Sequence, residues 1–154
     1  MSGFRVDKLF YEQETCWTCG PACAKMFLKS IGINKKEKQL IPILATNKIA
    51  GTKNGGFYNF AKKYKFSYVI ANDSSISDLK KLMKKKYFII VSYYITSDKA
   101  HHYSVVKKID SKKIYFLDPY FESNHFIVLK QFKKLWAVPA KYSKEKQWFI
   151  ALKN

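Results

Sequence analysis

Hydrophobic residues recur in two patterns along this chain, a helical one in the first half and a strand-like one in the second. Apolar positions three or four residues apart indicate the buried face of a helix. They predict a first helix that Gly20 opens and Gly32 ends, a short second helix over 36–40, and a third around 57–64. The residues expected to face the core from the first and third helices are Cys23, Met26, Phe27, Ile31, Phe57, Phe60, Ala61 and Tyr64.

Short apolar runs separated by turn residues dominate the second half, which is typical of strands. The predicted strands are 66–70, 87–95, 103–109, 113–117 and 147–152. Residues 73–78 supply N-cap candidates for a helix through Met83, and a further short helix is expected over 129–135. Residues 1–18 are predicted to be mostly extended, and 51–56 to be a loop. Helices lead and mostly antiparallel strands follow, so we expect an α+β fold in one domain spanning 1–154.

Charge is strongly unbalanced in this chain of 154 residues. Lysine and arginine number 29 against 11 acidic residues, a formal net charge of +18, and Arg5 is the only arginine. Lysine lacks the planar guanidinium group with which arginine makes bidentate hydrogen bonds to bases or phosphates, which disfavours sequence-specific nucleic-acid recognition. Two interpretations stay open: a solvated lysine-rich surface, or non-specific attraction of an anionic partner.

No segment has the pattern of a membrane span or a secretion signal. The longest apolar run, 87–95, is far shorter than the ~18 residues of a spanning helix. The N-terminus lacks the charged-then-apolar order of a signal peptide. The three cysteines lie within eight residues, which is no framework for disulfides. We therefore expect a cytoplasmic protein without an integral membrane segment.

Cys19 is the strongest candidate for chemistry, because it lies directly before Gly20 at the predicted start of a helix. The positive end of the helix dipole and the unpaired N–H groups there favour a thiolate, which is the nucleophilic form of cysteine. Gln13, six residues earlier, could donate an amide N–H to an oxyanion. His102 and Asp118 supply a possible base and the group that orients it.

The spacing of His102 and Asp118 allows them to be neighbours. His102 precedes one predicted strand and Asp118 follows the next. In an antiparallel hairpin, the start of one strand lies beside the end of the following strand. Asp118 could then hold one nitrogen of the His102 ring while the other faces Cys19.

These residues resemble a family, the bacteriocin-leader-processing (double-glycine) cysteine peptidases, which are usually fused to peptide-exporting ABC transporters. The segments that carry the resemblance are Gln13, Cys19-Gly20-Pro21-Ala22-Cys23, His102-Tyr103-Ser104-Val105-Val106 and Asp118-Pro119. It implies a papain-like fold, with the nucleophile on a helix that packs on the sheet.

It also implies Cys19 as nucleophile, His102 as base and acid, Asp118 as its orienting partner, and the Gln13 amide with the Cys19 N–H as oxyanion hole. The resemblance further implies cleavage after a Gly-Gly pair in a leader peptide. We expect no cofactor and no metal. The expected partners are such a peptide and an ABC transporter on a separate chain.

Thr18 and Cys16 depart from the family's pattern, which usually has an acidic residue before the nucleophile and no second thiol there. Cys16-Trp17-Thr18-Cys19 also matches a Cys-x-x-Cys redox motif. A thiol–disulfide switch and a non-catalytic peptide-docking module therefore stay as alternatives. Metal binding by the three cysteines lacks a fourth ligand. The sequence assigns Cys23 to the core, His101 to solvent and His125 to a structural role.

Overall fold

Six antiparallel strands form one sheet, and helices cover both of its faces. The computed structural model describes residues 6–154. The helices are α1 (Cys19–Ser30), α2 (Glu37–Leu40), α3 (Asn54–Tyr64), α4 (Ile76–Lys84) and α5 (Leu129–Trp136), after a 3-10 turn at Val6–Leu9. The strands are β1 (Ser67–Ala71), β2 (Phe88–Ile95), β3 (Ala100–Ile109), β4 (Lys113–Leu117), β5 (His125–Val128) and β6 (Phe149–Lys153). Their order in the sheet is β1-β6-β2-β3-β4-β5. The α+β prediction is confirmed.

Strand β2 explains why the chain contains one long apolar run. Ile90 packs into the core on the side of α1 and α3, whereas Ile89 and Val91 pack into the second core against α4 and α5. Successive side chains of a strand point to opposite faces, so a central strand covered on both sides is apolar throughout. Among residues 6–154, no helix is long and apolar enough to cross a membrane.

Helix α1 begins where the glycine and proline predicted it. Gly20 is required by packing, because a β-carbon at this position would lie 2.2 Å from the Thr52 hydroxyl oxygen. The helix ends at Ser30, and Gly32 adopts a φ of +82°, which glycine tolerates best. At α4, Ser75 is the N-cap and accepts from the Asp78 N–H, as the cap candidates predicted.

Several boundaries differ from the prediction. Helix α3 begins at Asn54 rather than near residue 57, so it takes in two glycines of the predicted loop. Gly56 packs so tightly that a β-carbon would lie 2.3 Å from the Leu44 carbonyl oxygen. Close packing therefore outweighs the poor helix propensity of glycine here.

Two strands also depart from their predicted bounds. Strand β3 begins three residues early, at Ala100, so His102 lies inside it. Strand β5 was not predicted. Its exposed positions hold the apolar residues Phe126 and Val128, so the alternation of polar and apolar residues that marks a half-buried strand is absent. The lead-in contains a 3-10 turn, and its first five residues lie outside the described ones.

Candidate active site

Cys19 is the first residue of α1 and is buried, with 8% of its surface exposed. No side chain of the described residues caps this helix. The hydroxyl of the buried Thr18 instead accepts from the Thr15 N–H at 3.1 Å and so holds the preceding turn. The positive end of the helix dipole thus acts on the Cys19 sulfur without a competing cap.

His102 and Asp118 meet in space as the hairpin argument predicted. His102 lies in β3 and Asp118 directly after β4, and Val105 pairs with Leu117 in the register between the strands. The His102 Nε2 donates to Asp118 Oδ1 at 2.6 Å, and both side chains are buried. This charge-assisted contact fixes the ring, and leaves Nδ1 as the nitrogen available to Cys19.

Asp118 is held on both carboxylate oxygens. Oδ1 also accepts from the backbone N–H groups of Tyr120 at 3.0 Å and Phe121 at 3.3 Å. Oδ2 accepts from the Tyr93 hydroxyl at 2.7 Å. Burial alone raises the pKa of Asp118, but the hydrogen bonds from His102, Tyr93 and Tyr120 outweigh it and hold that pKa below the usual range. Asp118 is therefore a buried carboxylate that stays ionised.

The pKa of His102 is shifted in the opposite direction. Burial alone lowers it, but hydrogen bonds and negative charge from Asp118 and Cys19 raise it to about 10. The positively charged form of the ring is thus stabilised by two groups at once. A positively charged ring held by a carboxylate is the partner that a cysteine nucleophile needs.

Gln13 lies between the two halves of the site. Its backbone N–H donates to the Pro119 carbonyl at 3.0 Å, which ties it to the residue after Asp118. Its side-chain Nε2 donates to the Thr15 carbonyl at 2.6 Å, in the turn that leads to Cys19. Its Oε1 is buried and has no hydrogen-bond partner among the described residues. One amide N–H of Gln13 is therefore in use and the second remains available.

The remaining cysteines and histidines have other surroundings. Cys23 is fully buried in the core, as predicted, and burial raises its pKa. Cys16 is exposed, and all three cysteines are free thiols. The prediction of a solvent-exposed His101 is wrong: the ring is half-buried and lies 2.8 Å from the Val138 carbonyl oxygen. His125 is half-buried and stacks on the Phe121 ring.

A cleft of about 790 Å³ opens beside Cys19. Its walls are the start of α1 with the turn before it, residues 48–55, the facing ends of β2 and β3, and residues 138–143. His102 does not line this cleft. No group of three or more His, Cys, Asp or Glu side chains within the described part of the chain is arranged to hold a metal ion.

Tyr93 is the site contact that the sequence analysis missed. It lies within the apolar run of β2, which the sequence predicted only as a strand. A buried tyrosine hydroxyl usually finds a partner, so a tyrosine inside an otherwise apolar central strand was the available signal. The partner itself, Asp118, is 25 residues away and could not be read from the pattern.

Comparison with known proteins gives consistent results. The chain is similar in structure to the peptidase domain of Streptococcus ComA, a bifunctional ABC transporter in a quorum-sensing pathway. The two are 22% identical, the match covers 93% of this chain and 96% of that one, and the TM-score is 0.70. It is also similar to a double-glycine-motif protease from an AMS/PCAT transporter, crystallised with the leader peptide: 15% identity, 94% and 91% coverage and a TM-score of 0.66. An uncharacterised protein of Methanothermobacter marburgensis is 26% identical over 119 residues, 77% of either chain.

The papain-like architecture that the motifs implied is confirmed by these structural neighbours. The family model of the C39 peptidases matches residues 8–145, which include the helix that carries Cys19 and the strands around His102 and Asp118. With nearly its whole length matched, this chain belongs to the peptidase C39 family, the double-glycine leader peptidases.

Proposed function

We propose that this protein is a cysteine peptidase that hydrolyses peptide bonds through a thioester intermediate. The observation that carries the proposal is the buried His102–Asp118 pair, joined at 2.6 Å, together with a Cys19 at a helix N-terminus that lies near enough to raise the pKa of the His102 ring. A docking module has no need of this buried charged pair. A redox switch uses Cys16 and Cys19 but leaves His102 and Asp118 without a role.

The reaction begins with attack of the Cys19 sulfur on the substrate carbonyl carbon, which forms a tetrahedral oxyanion. The C–N bond then breaks, and His102 gives its proton to the leaving amine. This leaves an acyl group on Cys19. Neutral His102 next takes a proton from water, the hydroxide attacks the thioester, and Cys19 leaves as the thiolate. The pair is thereby restored, and one water has been consumed.

We propose that the oxyanion accepts hydrogen bonds from the Cys19 backbone N–H and from the second amide N–H of Gln13. The contacts of Gln13 with Thr15 and Pro119 support this role, because they anchor its amide between the Cys19 turn and the Asp118 loop. Donors that are held in place before the reaction stabilise the developing charge without reorganisation at that moment.

A leader peptide with a Gly-Gly pair before the scissile bond is the proposed substrate. Membership of the C39 family supports it, as does the likeness to a double-glycine protease solved with a leader peptide. The burial of Cys19 supports it physically, because a sulfur with 8% exposure admits a backbone with small side chains more readily than a bulky one. An ABC transporter on a separate chain is the proposed partner.

The direct test is cleavage of synthetic leader-like peptides, read by mass spectrometry. A peptide with Gly-Gly followed by several further residues should be cut after the second glycine. The matched peptide with Ala-Ala in place of Gly-Gly should be cut far more slowly. If no peptide bond is cut in either, the peptidase proposal fails. If both are cut at the same rate, only the glycine specificity fails.

Replacing Gln13 with alanine is expected to lower kcat by roughly 10²–10³, the cost of one lost oxyanion donor. KM should change little, because the donor acts on charge that develops only in the transition state. The measurement is steady-state cleavage of the Gly-Gly peptide. Glu12→Ala is the matched control, since Glu12 is the exposed neighbour of Gln13. A Gln13→Ala enzyme as fast as the wild type would remove Gln13 from the oxyanion hole.

A further inference from the structure

Four lysines approach the cleft beside Cys19 from different walls. Lys48 and Lys53 come from the segment before α3, Lys99 from the turn between β2 and β3, and Lys141 from the segment before β6. All four are exposed, and no aspartate or glutamate of the described residues lines the cleft. The opening therefore carries positive charge from several directions at once.

The described residues do not neutralise this charge. None of the four lysines forms an ion pair with a carboxylate of the described residues. The carboxylate of Glu145, which follows closely on Lys141, is occupied on both oxygens by Asn54 at 3.1 Å and Asn72 at 3.0 Å. Asp98, the neighbour of Lys99, interacts instead with the Tyr120 hydroxyl.

Two of these ammonium groups are held by one aromatic ring. Lys53 Nζ lies 4.9 Å and Lys141 Nζ 5.5 Å from the centre of the Tyr142 ring, which is itself about half-exposed. Ile49, with 93% of its surface exposed, stands on the same rim. The rim thus presents both cations and apolar surface to whatever enters the cleft.

The position of His102 decides which part of a substrate meets this rim. The leaving amine must take its proton from His102, and His102 does not line the cleft. Cys19, which carries the acyl group in the proposed mechanism, does line the cleft, so we assign the cleft to the acyl side of the scissile bond. A low-dielectric groove lined by charge of one sign concentrates ligands of the opposite sign.

We propose, on the basis of the peptidase function above, that the cleft selects substrates with acidic residues shortly before the scissile bond. The carboxylates of such a peptide supply the anionic partners that the four lysines lack among the described residues, and its apolar residues meet Ile49 and Tyr142. The high lysine content of the whole chain makes it necessary to compare cleft lysines with lysines elsewhere.

The test compares two Gly-Gly peptides of equal length, one with three glutamates before the glycines and one with glutamines in their place. The acidic peptide should have a kcat/KM at least roughly tenfold higher at low salt, and the difference should shrink as salt screens the charges. The triple variant K48Q/K99Q/K141Q should lose this preference. The control K80Q/K84Q/K130Q removes equal charge from the exposed faces of α4 and α5 and should keep it.

Each result has a definite meaning. If the wild-type protein cleaves both peptides equally, or if both triple variants lose the preference for the acidic peptide to the same extent, the proposed role of the cleft lysines is wrong. The peptidase proposal is unaffected by either result. If neither peptide is cut, the peptidase proposal fails. Binding of the two fluorescein-labelled peptides to the Cys19→Ala protein, read by anisotropy, then still decides the inference. Tighter binding of the acidic peptide that depends on the cleft lysines supports it, and equal binding overturns it.

An independent observation concerns the Tyr93 hydroxyl, 2.7 Å from Asp118 Oδ2. Tyr93 is held between the rings of Phe116 and Phe132, and its edge faces the His102 ring at a centroid distance of 5.7 Å. It is paired with His102 across the β2–β3 ladder. We infer that Tyr93 is a positioning residue, which orients the carboxylate that in turn orients His102.

Tyr93→Phe tests this inference by removing a single oxygen. Asp118 Oδ2 would then be buried without its donor, so kcat should fall roughly tenfold with little change in KM. The pKa of Asp118 should rise, because a hydrogen bond to the carboxylate lowers it, and the acidic limb of the pH–rate profile should move to higher pH. Tyr115→Phe is the matched control, since its hydroxyl also donates to an aspartate, Asp110, on the same sheet.

A double-mutant cycle shows whether Tyr93 acts through Asp118. In an Asp118→Ala background the Tyr93→Phe change should cost almost nothing, because its acceptor is gone. An undiminished loss there would overturn the positioning role. An unchanged kcat and pH profile in the single variant would overturn it as well.

Discussion

Replacing Cys19 with alanine is expected to abolish peptide cleavage and to leave the fold intact. In the proposed mechanism the Cys19 sulfur is the atom that attacks the substrate, and no neighbouring group can replace it in forming a thioester. The change removes one atom at the start of α1, and alanine is well tolerated in a helix. Cleavage of the Gly-Gly peptide by mass spectrometry and the circular dichroism of the variant give the two readings.

Cys23→Ala is the matched control, because Cys23 lies one turn further along the same helix and is fully buried. This variant should lose some stability, since it leaves a small cavity in the core, yet it should still cleave peptide. Turnover in Cys19→Ala that approaches the wild-type rate would exclude Cys19 as the nucleophile. Loss of turnover in both variants would point to a damaged helix instead.

Replacing His102 with alanine is expected to lower cleavage by at least roughly 10²–10⁴, the usual contribution of a general acid–base group. The pKa of His102 is raised from 6.5 to about 10, so the imidazolium is present below that pH and is lost above it. The wild-type enzyme should therefore lose activity on an alkaline limb near pH 10. In His102→Ala that limb should disappear together with most of the rate.

The rate of alkylation by iodoacetamide, measured for each cysteine by mass spectrometry, tests the Cys19–His102 pair without a substrate. Cys19 should react quickly at neutral pH, and slowly once His102 is replaced. Cys16, which is exposed, and Cys23, which is buried, are internal references for an accessible and an inaccessible thiol. The control His125→Ala should retain fast labelling of Cys19. Labelling of Cys19 that is indifferent to His102 would contradict an activated pair and favour the docking module.

The period of the apolar residues was sufficient to place most elements. Cys23, Met26 and Phe27 recur at helical spacing, and all three are buried in α1. His102 and Asp118 could also be predicted to be neighbours, because two strands joined by a short turn are almost always paired and antiparallel. These inferences rest on local geometry, in which spacing along the chain determines direction in space.

Long-range packing decided the rest. The glycines at the start of α3 are helical because Leu44 leaves no room for a side chain at Gly56. The hydroxyl of Tyr93 meets Asp118 only after β2 and β4 have been placed on either side of β3. The four cleft lysines are spread over nearly a hundred residues, and nothing in their spacing distinguishes them from the lysines of α4 or α5.

The residue types and their spacing along the chain therefore indicated the fold class, a candidate nucleophile and its candidate base, because each depends on neighbours within a helix or a hairpin. The shape and charge of the cleft, and the second partner of Asp118, depend on which distant surfaces the sheet brings together. Such contacts are selected by the free energy of the whole packed core, and no local pattern records them.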